Sequence, residues 1–265
     1  DEQADREHDG TLVRAGELRN VLRLDIDEEL QRLEAERRVF CLREWAAGAD
    51  VLPILIHNDP DPDAVSSALG LALLLDGSPE RTPIVTLGGI TRPENRRMVD
   101  LLHIRVTEIT VEELRRFERV VCVDTQPREL QRDGHPRVAV IDHHPHESTY
   151  QAEFCDVRPH YGAAATMITE YLRSDQRRRV SRSLATALLY GIKTDTDSLM
   201  RGVTPADVEA YAHLQERADL QLLRRFERPS YRAGAARAFG EALTRLVCDD
   251  ELCVAYIGEL EPLEN

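Results

Sequence analysis

Four short apolar segments recur between residues 50 and 142, and none alternates apolar with polar residues as a half-exposed strand does. They cover residues 51–56, 83–87, 120–123 and 138–141. Strands that are buried on both faces of a parallel sheet have this pattern. Helix-like segments separate them at about residues 64–75, 93–102 and 111–117. This order predicts an α/β fold with a doubly wound, mainly parallel sheet of about five strands flanked by helices.

Apolar residues at helical spacing lie on both sides of this region. A helix is predicted over residues 26–45, and Gly48 follows it as a common stop. Later helices are predicted at 163–173 and 183–192, from the Thr204-Pro205 pair to about 217, and onward to about 246. A mostly helical segment is therefore expected after the sheet.

Composition narrows the classes of function. The 265 residues carry a formal net charge of −14, whereas proteins that bind duplex nucleic acid non-specifically normally have a basic surface. No apolar run approaches the roughly 18 residues of a membrane span. The five cysteines include no C-x-x-C pair, which favours free thiols in a reducing compartment. We therefore expect a cytoplasmic protein that binds neither duplex nucleic acid nor membrane.

Ligand-type side chains follow three of the predicted strands, at the point where each strand ends. They are His57 after the first strand, Asp124 after the third, and Asp142-His143-His144 after the fourth. In open α/β sheets, ligands bind beyond the carboxyl ends of the strands. These side chains are therefore expected to meet at one rim of the sheet.

Two further segments supply carboxylates to the same set. Asp61 and Asp63 flank Pro62 before a predicted helix, and Asp195 follows an apolar helix. An alternative for Asp63 is that it only caps the helix that it precedes. Carboxylates and imidazoles without thiolates suit hard cations such as Mn²⁺ or Mg²⁺, although zinc stays an alternative. A carboxylate shared between two such ions would set up two-metal phosphoryl chemistry.

Taken in this order, the segments resemble the DHH phosphoesterase superfamily over about residues 50–200. That superfamily includes RecJ-like exonucleases, nano-RNase and pAp phosphatases, cyclic-di-AMP phosphodiesterases and family II pyrophosphatases. The resemblance implies a parallel-sheet catalytic domain with two divalent cations, Mn²⁺ foremost and Mg²⁺ as the alternative. Many relatives carry a glycine-rich motif in a C-terminal substrate-binding domain, and no such motif occurs before Asn265.

The resemblance also implies a role for each candidate residue. His57 and Asp61 resemble ligands of the first cation, whereas Asp63, His143 and Asp195 resemble ligands of the second. Asp124 resembles the carboxylate that bridges the two cations. Asp142 resembles the partner of the paired histidines, and His144 the catalytic residue that contacts the scissile phosphate.

Two residues are candidate substrate contacts. The guanidinium fork of Arg158 suits a phosphate. Gly162 precedes a predicted helix whose N-terminus would attract an anion.

The same resemblance suggests four parts of the chain. Residues 1–48 are expected to be a linker and helix left from an upstream regulatory domain, and residues 49–200 the catalytic core. Residues 201–247 would form a helical extension, and residues 248–265 the start of a truncated C-terminal domain.

The implied function is a metal-dependent phosphoesterase that uses a two-metal activated water. Its expected substrate is a small nucleotide or a short single-stranded oligonucleotide, cleaved at a phosphodiester or phosphomonoester bond. The alternatives are a pyrophosphatase or polyphosphatase, and a regulatory module that binds metal and nucleotide without turnover. A homodimer stays open.

Overall fold

The computed structural model describes residues 26–256 except 27, 76, 128–129, 131–135, 148, 176, 228–232, 250 and 251. Within these residues, one sheet contains six parallel strands: β1 (Ile54–Ile56), β2 (Ile84–Thr86), β3 (Val106–Glu108), β4 (Arg119–Val123), β5 (Arg137–Asp142) and β6 (Phe154–Val157). Their order is β3-β2-β1-β4-β5-β6, and every neighbouring pair is parallel. The predicted doubly wound α/β fold is confirmed.

Helices surround the sheet and follow it. They are α1 (28–46), α2 (Pro62–Leu74), α3 (Pro93–Leu102), α4 (Val111–Leu114), α5 (Ala164–Ser174), α6 (Arg182–Asp195), α7 (Pro205–Gln215), α8 (Leu220–Glu227) and α9 (Ala233–Thr244). None of these helices, in the part of the chain that is described, has both the length and the apolar character needed to cross a bilayer.

The strand order has one reversal point. The chain builds outward from β1 to β2 and β3, and then returns to place β4 on the other side of β1. At such a point the loops after the two central strands diverge and leave a crevice. The crevice is where the polar segments after β1 and β4 lie.

The two edge strands of the sheet were not predicted from the sequence. The four predicted strands correspond to β1, β2, β4 and β5, whereas β3 and β6 were not predicted. Both missed strands lie at an edge and expose several side chains, among them Glu108 and Cys155. A search for segments apolar on both faces finds only the central strands, because an edge strand need not be buried on both sides.

The core divides according to the alternation of side chains along the strands. Ile54, Val121 and Ile141 face the larger apolar cluster, which contains the buried faces of α1, α2, α5 and α6. Leu55 and Cys122 face a smaller cluster that is closed by Leu114 of α4. The two helices that carry ligand-type residues, α2 and α6, therefore pack on the face of the sheet that bears the larger apolar cluster.

The described residues divide into two compact units, one that ends at residue 226 and one that begins at residue 227. The second contains α9 and an antiparallel pair, β7 (Val247–Cys248) and β8 (Cys253–Val254). Cys248 and Cys253 are cross-strand partners and form a disulfide, so the expectation of five free thiols is wrong for these two. The four predicted parts of the chain and their three boundaries stay predictions.

Candidate metal centre

The central strands bring three polar segments to one rim, as the sequence predicts. His57 follows β1, Asp124 follows β4, and Asp142 is the last residue of β5. Asp124 has a positive φ of 54°, and its N–H donates to the carbonyl of Ile141 at 3.0 Å. Aspartate tolerates this left-handed conformation better than most residues do. The turn ends β4 abruptly and keeps the buried Asp124 carboxylate at the strand end.

The two aspartates at the start of α2 have different hydrogen-bond partners. Asp61 is the N-cap, and its Oδ1 accepts from the N–H of Ala64 at 3.0 Å. The alternative that Asp63 caps the helix is therefore wrong. The fully buried Asp63 instead accepts from Ala164 N at 2.7 Å and Ala165 N at 2.8 Å. Its carboxylate thus joins the start of α2 to the start of α5.

A glycine allows α6 to approach this point. A Cβ on Gly191 would lie 2.6 Å from Ser66 Oγ, 3.0 Å from Asp63 Cα and 3.2 Å from Asp63 Oδ1. The helix can therefore cross α2 only because Gly191 has no side chain. One turn later, α6 ends at Asp195, whose carboxylate reaches the rim. This role of Gly191 cannot be predicted from the sequence, since only the packed helices reveal it.

Six candidate ligands form two clusters of three residues each. The first is His57, Asp61 and Asp124, and the second is Asp63, His143 and Asp195. His57 Nε2 lies 3.6 Å from Asp124 Oδ2, and His143 Nε2 lies 3.2 Å from Asp124 Oδ1. The two oxygens of Asp124 therefore face different clusters. His143, His144 and Asp124 make a third group of compatible geometry.

The tautomers of the two histidines test whether cations fit. His57 Nδ1 lies 2.8 Å from the carbonyl of Asn58, and His143 Nδ1 lies 3.2 Å from the carbonyl of Tyr161. A carbonyl only accepts, so Nδ1 carries a proton, and in the neutral ring Nε2 then presents a lone pair. Both lone pairs face carboxylate oxygens. Lone pairs directed at one another fit a cation between them.

Two buried atoms at this point also lack hydrogen-bond partners. They are Asp124 Oδ1 and His143 Nε2, which face each other across 3.2 Å. Buried polar atoms are nearly always satisfied, so this pair calls for a proton, an ion or a water between the two atoms. The residues therefore fit divalent cations on an observation that is independent of family membership.

The pKa values of these histidines and aspartates are shifted by burial and by the charges of the neighbouring ligand-type residues. Burial lowers the pKa of His57, but the hydrogen bond that the ring donates to Asp61 and the charge of Asp124 outweigh it and raise the pKa to about 9. Burial is likewise outweighed at His143, where Asp124 and Asp195 raise the pKa to about 12. Burial raises the pKa of Asp124 to about 6. Burial and neighbouring carboxylates hold the pKa of Asp63 well above its usual range. The centre therefore attracts positive charge, as protons or as cations.

His144 differs from His143 in exposure and partner. Its side chain is 56% exposed, whereas that of His143 is 11% exposed. His144 Nδ1 lies 2.9 Å from Oδ1 of the buried Asp142. The pair therefore leaves Nε2 of an accessible imidazole for another molecule.

Arg158 lies in a buried salt-bridge cluster and not among the candidate ligands. Its guanidinium donates to Asp156 and, at 2.6 Å, to Glu170, and it lies over the ring of Tyr161. These contacts occupy its Nε and both terminal nitrogens. They give Arg158 a structural role, and its contact with the substrate stays a prediction.

Gly162 is also committed to internal contacts. Its N–H donates to both carboxylate oxygens of Asp207, at 3.1 and 3.0 Å. The first N–H groups of α5 are occupied by Asp63. The expected anion site at this helix N-terminus is therefore filled by two of the protein's own carboxylates.

A cavity of about 730 Å³ opens beside the first cluster. Its described lining includes His57, Asp124 and His144 together with apolar residues such as Leu87 and Val111. None of the described lining residues is a lysine or an arginine.

The sequence matches the family described as "DHH family, N-terminal domain" over residues 52–192, which is more than half of the chain. The chain belongs to the DHH family. The matched range contains all six candidate ligands except Asp195, which the packing of α6 supplies. The family match and the geometry therefore point to the same group of residues at the rim of the sheet.

Individual relatives extend the comparison. The chain is 33% identical over 210 residues to an uncharacterized protein of Methanocaldococcus jannaschii, covering 79% of this chain and 44% of that protein. It is 24% identical to the cyclic-di-AMP phosphodiesterase PdeA of Listeria monocytogenes, covering 75% of this chain and 33% of PdeA. The chain thus spans less than half the length of these relatives.

One solved structure shares the fold. The crystal structure of an exopolyphosphatase-related protein from Bacteroides fragilis matches with a TM-score of 0.61 at 17% identity. The match covers 80% of this chain and 66% of that one. At this identity, the likeness supports the fold alone.

Proposed function

We propose that this domain hydrolyses phosphodiester or phosphomonoester bonds of small nucleotides or short single-stranded oligonucleotides, using two divalent cations. The observation that carries the proposal is the buried Asp124 carboxylate. One of its oxygens faces His57, and the other faces the unsatisfied Nε2 of His143.

The proposed ligands follow the two clusters. His57, Asp61 and Asp124 would hold one cation, and Asp63, Asp124, His143 and Asp195 the other. Oxygen and imidazole donors without a thiolate favour Mn²⁺, with Mg²⁺ as the alternative. When bound, such cations neutralise phosphate charge and lower the pKa of a coordinated water.

The protein's own groups would orient the reaction. The N–H groups of Ala164 and Ala165 fix the Asp63 carboxylate, so it cannot turn away from the centre. Asp142 holds Nδ1 of His144, which directs the Nε2 of that exposed ring toward a phosphate oxygen. We assign to His144 the hydrogen bond to the scissile phosphate, and to Asp142 the orientation of His144.

Two observations favour a nucleotide over a polyphosphate. The relative PdeA is named for a cyclic dinucleotide, although the chain spans only a third of it. The cavity beside the centre has apolar walls and, among its described lining residues, neither lysine nor arginine. Such walls suit an organic group next to the phosphate better than a chain of phosphates, which basic residues normally bind. The cytoplasmic location and the homodimer stay predictions.

The test is hydrolysis of a panel by the wild-type protein with Mn²⁺ and with a chelator. The panel contains a dinucleotide, pAp, cyclic-di-AMP and pyrophosphate. We expect Mn²⁺-dependent turnover of at least one nucleotide and a loss of about a hundredfold or more in Asp124→Asn. Asp100→Asn, which changes an exposed carboxylate on α3, is the matched control and should retain wild-type turnover.

The other outcomes identify the alternatives. Turnover of pyrophosphate alone would overturn the proposal in favour of a phosphoanhydride hydrolase. Binding of Mn²⁺ and nucleotide without turnover of any compound would favour a regulatory module.

A further inference from the structure

Gln126 uses its whole side chain to hold the segment that follows β5. Its Nε2 donates to Asp142 Oδ2 at 2.6 Å and to the carbonyl of Pro145 at 3.0 Å. Its Oε1 accepts from Glu147 N at 2.8 Å and from Tyr150 Oη at 3.0 Å. A side-chain amide has two N–H bonds and two lone pairs, so all four are used.

These partners also determine which way the amide points. If its oxygen and nitrogen exchanged places, the NH₂ group would face the N–H of Glu147. The oxygen would then face the Asp142 carboxylate. Donor would meet donor and acceptor would meet acceptor, so only the observed orientation is stable.

The contact with Asp142 matters because His144 has two carboxylates within reach. His144 Nδ1 lies 2.9 Å from Asp142 Oδ1 and 3.7 Å from Asp124 Oδ1. If Asp142 turned away, the imidazole could pair with Asp124 instead. That pairing would withdraw His144 from the cavity and occupy an oxygen that faces His143.

We propose that Gln126 is a positioning residue that keeps Asp142 paired with His144 and leaves Asp124 to the metal centre. Gln126 acts through Asp142 and touches no reacting atom in this assignment. Its Oε1 contacts with Glu147 and Tyr150 fix Gln126 itself. The kinetic part of the inference rests on the proposed function.

The experiment compares Gln126→Glu with Tyr150→Phe. The glutamate keeps the acceptor facing Glu147 N and Tyr150 but loses the donor to Asp142. Tyr150→Phe removes one contact of Gln126 and leaves the donor in place. Hydrolysis of bis(p-nitrophenyl) phosphate with Mn²⁺ gives kcat and KM, and long-range ¹H–¹⁵N spectra with Mg²⁺ report the tautomer of His144.

We expect Gln126→Glu to lower kcat by about 10–100-fold, the usual effect of removing a hydrogen-bond partner of a site residue, with KM within about threefold of wild type. The His144 signals should change as well. Tyr150→Phe should keep kcat within about twofold and the wild-type His144 spectrum. Gln126→Met, an apolar side chain of similar length, should reproduce the Gln126→Glu spectrum and keeps the test decisive if the glutamate variant does not fold.

The readouts separate the two claims. If the wild type hydrolyses neither the probe nor any nucleotide of the panel above, the proposed function fails, whereas the His144 spectra still decide the role of Gln126. A Gln126 variant that only unfolds at a lower temperature, with wild-type kcat and an unchanged His144 spectrum, would overturn the inference.

Discussion

Replacing Gly191 with alanine tests how the metal centre is assembled from separate helices. The added Cβ would lie 2.6 Å from Ser66 Oγ and 3.0 Å from the Cα of Asp63. Carbon atoms in contact are normally about 3.5–4.0 Å apart, so α6 must move away from α2 by roughly 0.5–1 Å. Asp195, one turn farther along α6, moves with it.

Two opposing effects set the expected change in stability. Overpacking a core typically costs about 1–3 kcal/mol. Alanine is better than glycine in a helix by about 1 kcal/mol, which offsets part of that cost. The free energy of unfolding should therefore fall by about 0–2 kcal/mol, or a few degrees in Tm for a domain of this size.

The effect on cation binding should be larger in proportion. Metal–ligand distances tolerate only about 0.2 Å, so a shift of Asp195 relative to Asp63 should weaken Mn²⁺ binding by about tenfold or more. Thermal unfolding followed by circular dichroism gives the stability, and calorimetric titration with Mn²⁺ gives the affinity.

Gly70→Ala is the matched control, because it adds a methyl group to the same helix pack away from the ligands. Its Cβ would lie 2.5 Å from Cγ2 of Ile168 in α5. We expect a comparable loss of stability with Mn²⁺ affinity within about twofold of wild type. If Gly191→Ala is more stable than the wild type and binds Mn²⁺ equally well, the reasoning about α6 is refuted.

Three further variants test other parts of the structure. Arg158→Met leaves Asp156 and Glu170 without their buried cation, so the free energy of unfolding should fall by about 3–5 kcal/mol. Urea denaturation measures this loss. A raised KM with unchanged stability would instead favour a substrate contact. Asp207→Asn should cost about 1–3 kcal/mol, because an amide places a donor against the N–H groups of Gly162 and Thr204; wild-type Tm would contradict this. Burial, with help from two arginines, lowers the pKa of His213 to about 4, so the folded protein binds fewer protons than the unfolded one between pH 6.5 and 4. Stability should fall as pH decreases through this window, and His213→Gln should flatten that part of the urea-midpoint profile.

Most of the sheet could be predicted because its central strands are buried on both faces. A strand buried on both faces needs an apolar residue at every position, which gives uninterrupted apolar segments such as 120–123 and 138–141. The edge strands β3 and β6 are under no such constraint, and their mixed segments gave no comparable signal. The disulfide between Cys248 and Cys253 depends on cross-strand register, which spacing alone does not reveal.

The candidate ligands could be identified because strand ends and ligand-type residues coincide in the sequence. The partner of each carboxylate could not be predicted from the sequence, because it depends on how elements distant in the chain pack together. Asp63 and Asp61 are two residues apart, yet one holds the start of α5 and the other caps its own helix. Gln126 stands two residues after Asp124, but only the fold reveals its four partners, Asp142, Pro145, Glu147 and Tyr150.

The central claim is that Asp124 is shared by two cations, and counting bound Mn²⁺ tests it most directly. Equilibrium dialysis followed by metal analysis should give two Mn²⁺ per wild-type chain and at most one per chain of Asp124→Asn, because each carboxylate oxygen faces a different cluster. Binding of fewer than two Mn²⁺ by the wild type, or of two by Asp124→Asn, would contradict the shared centre.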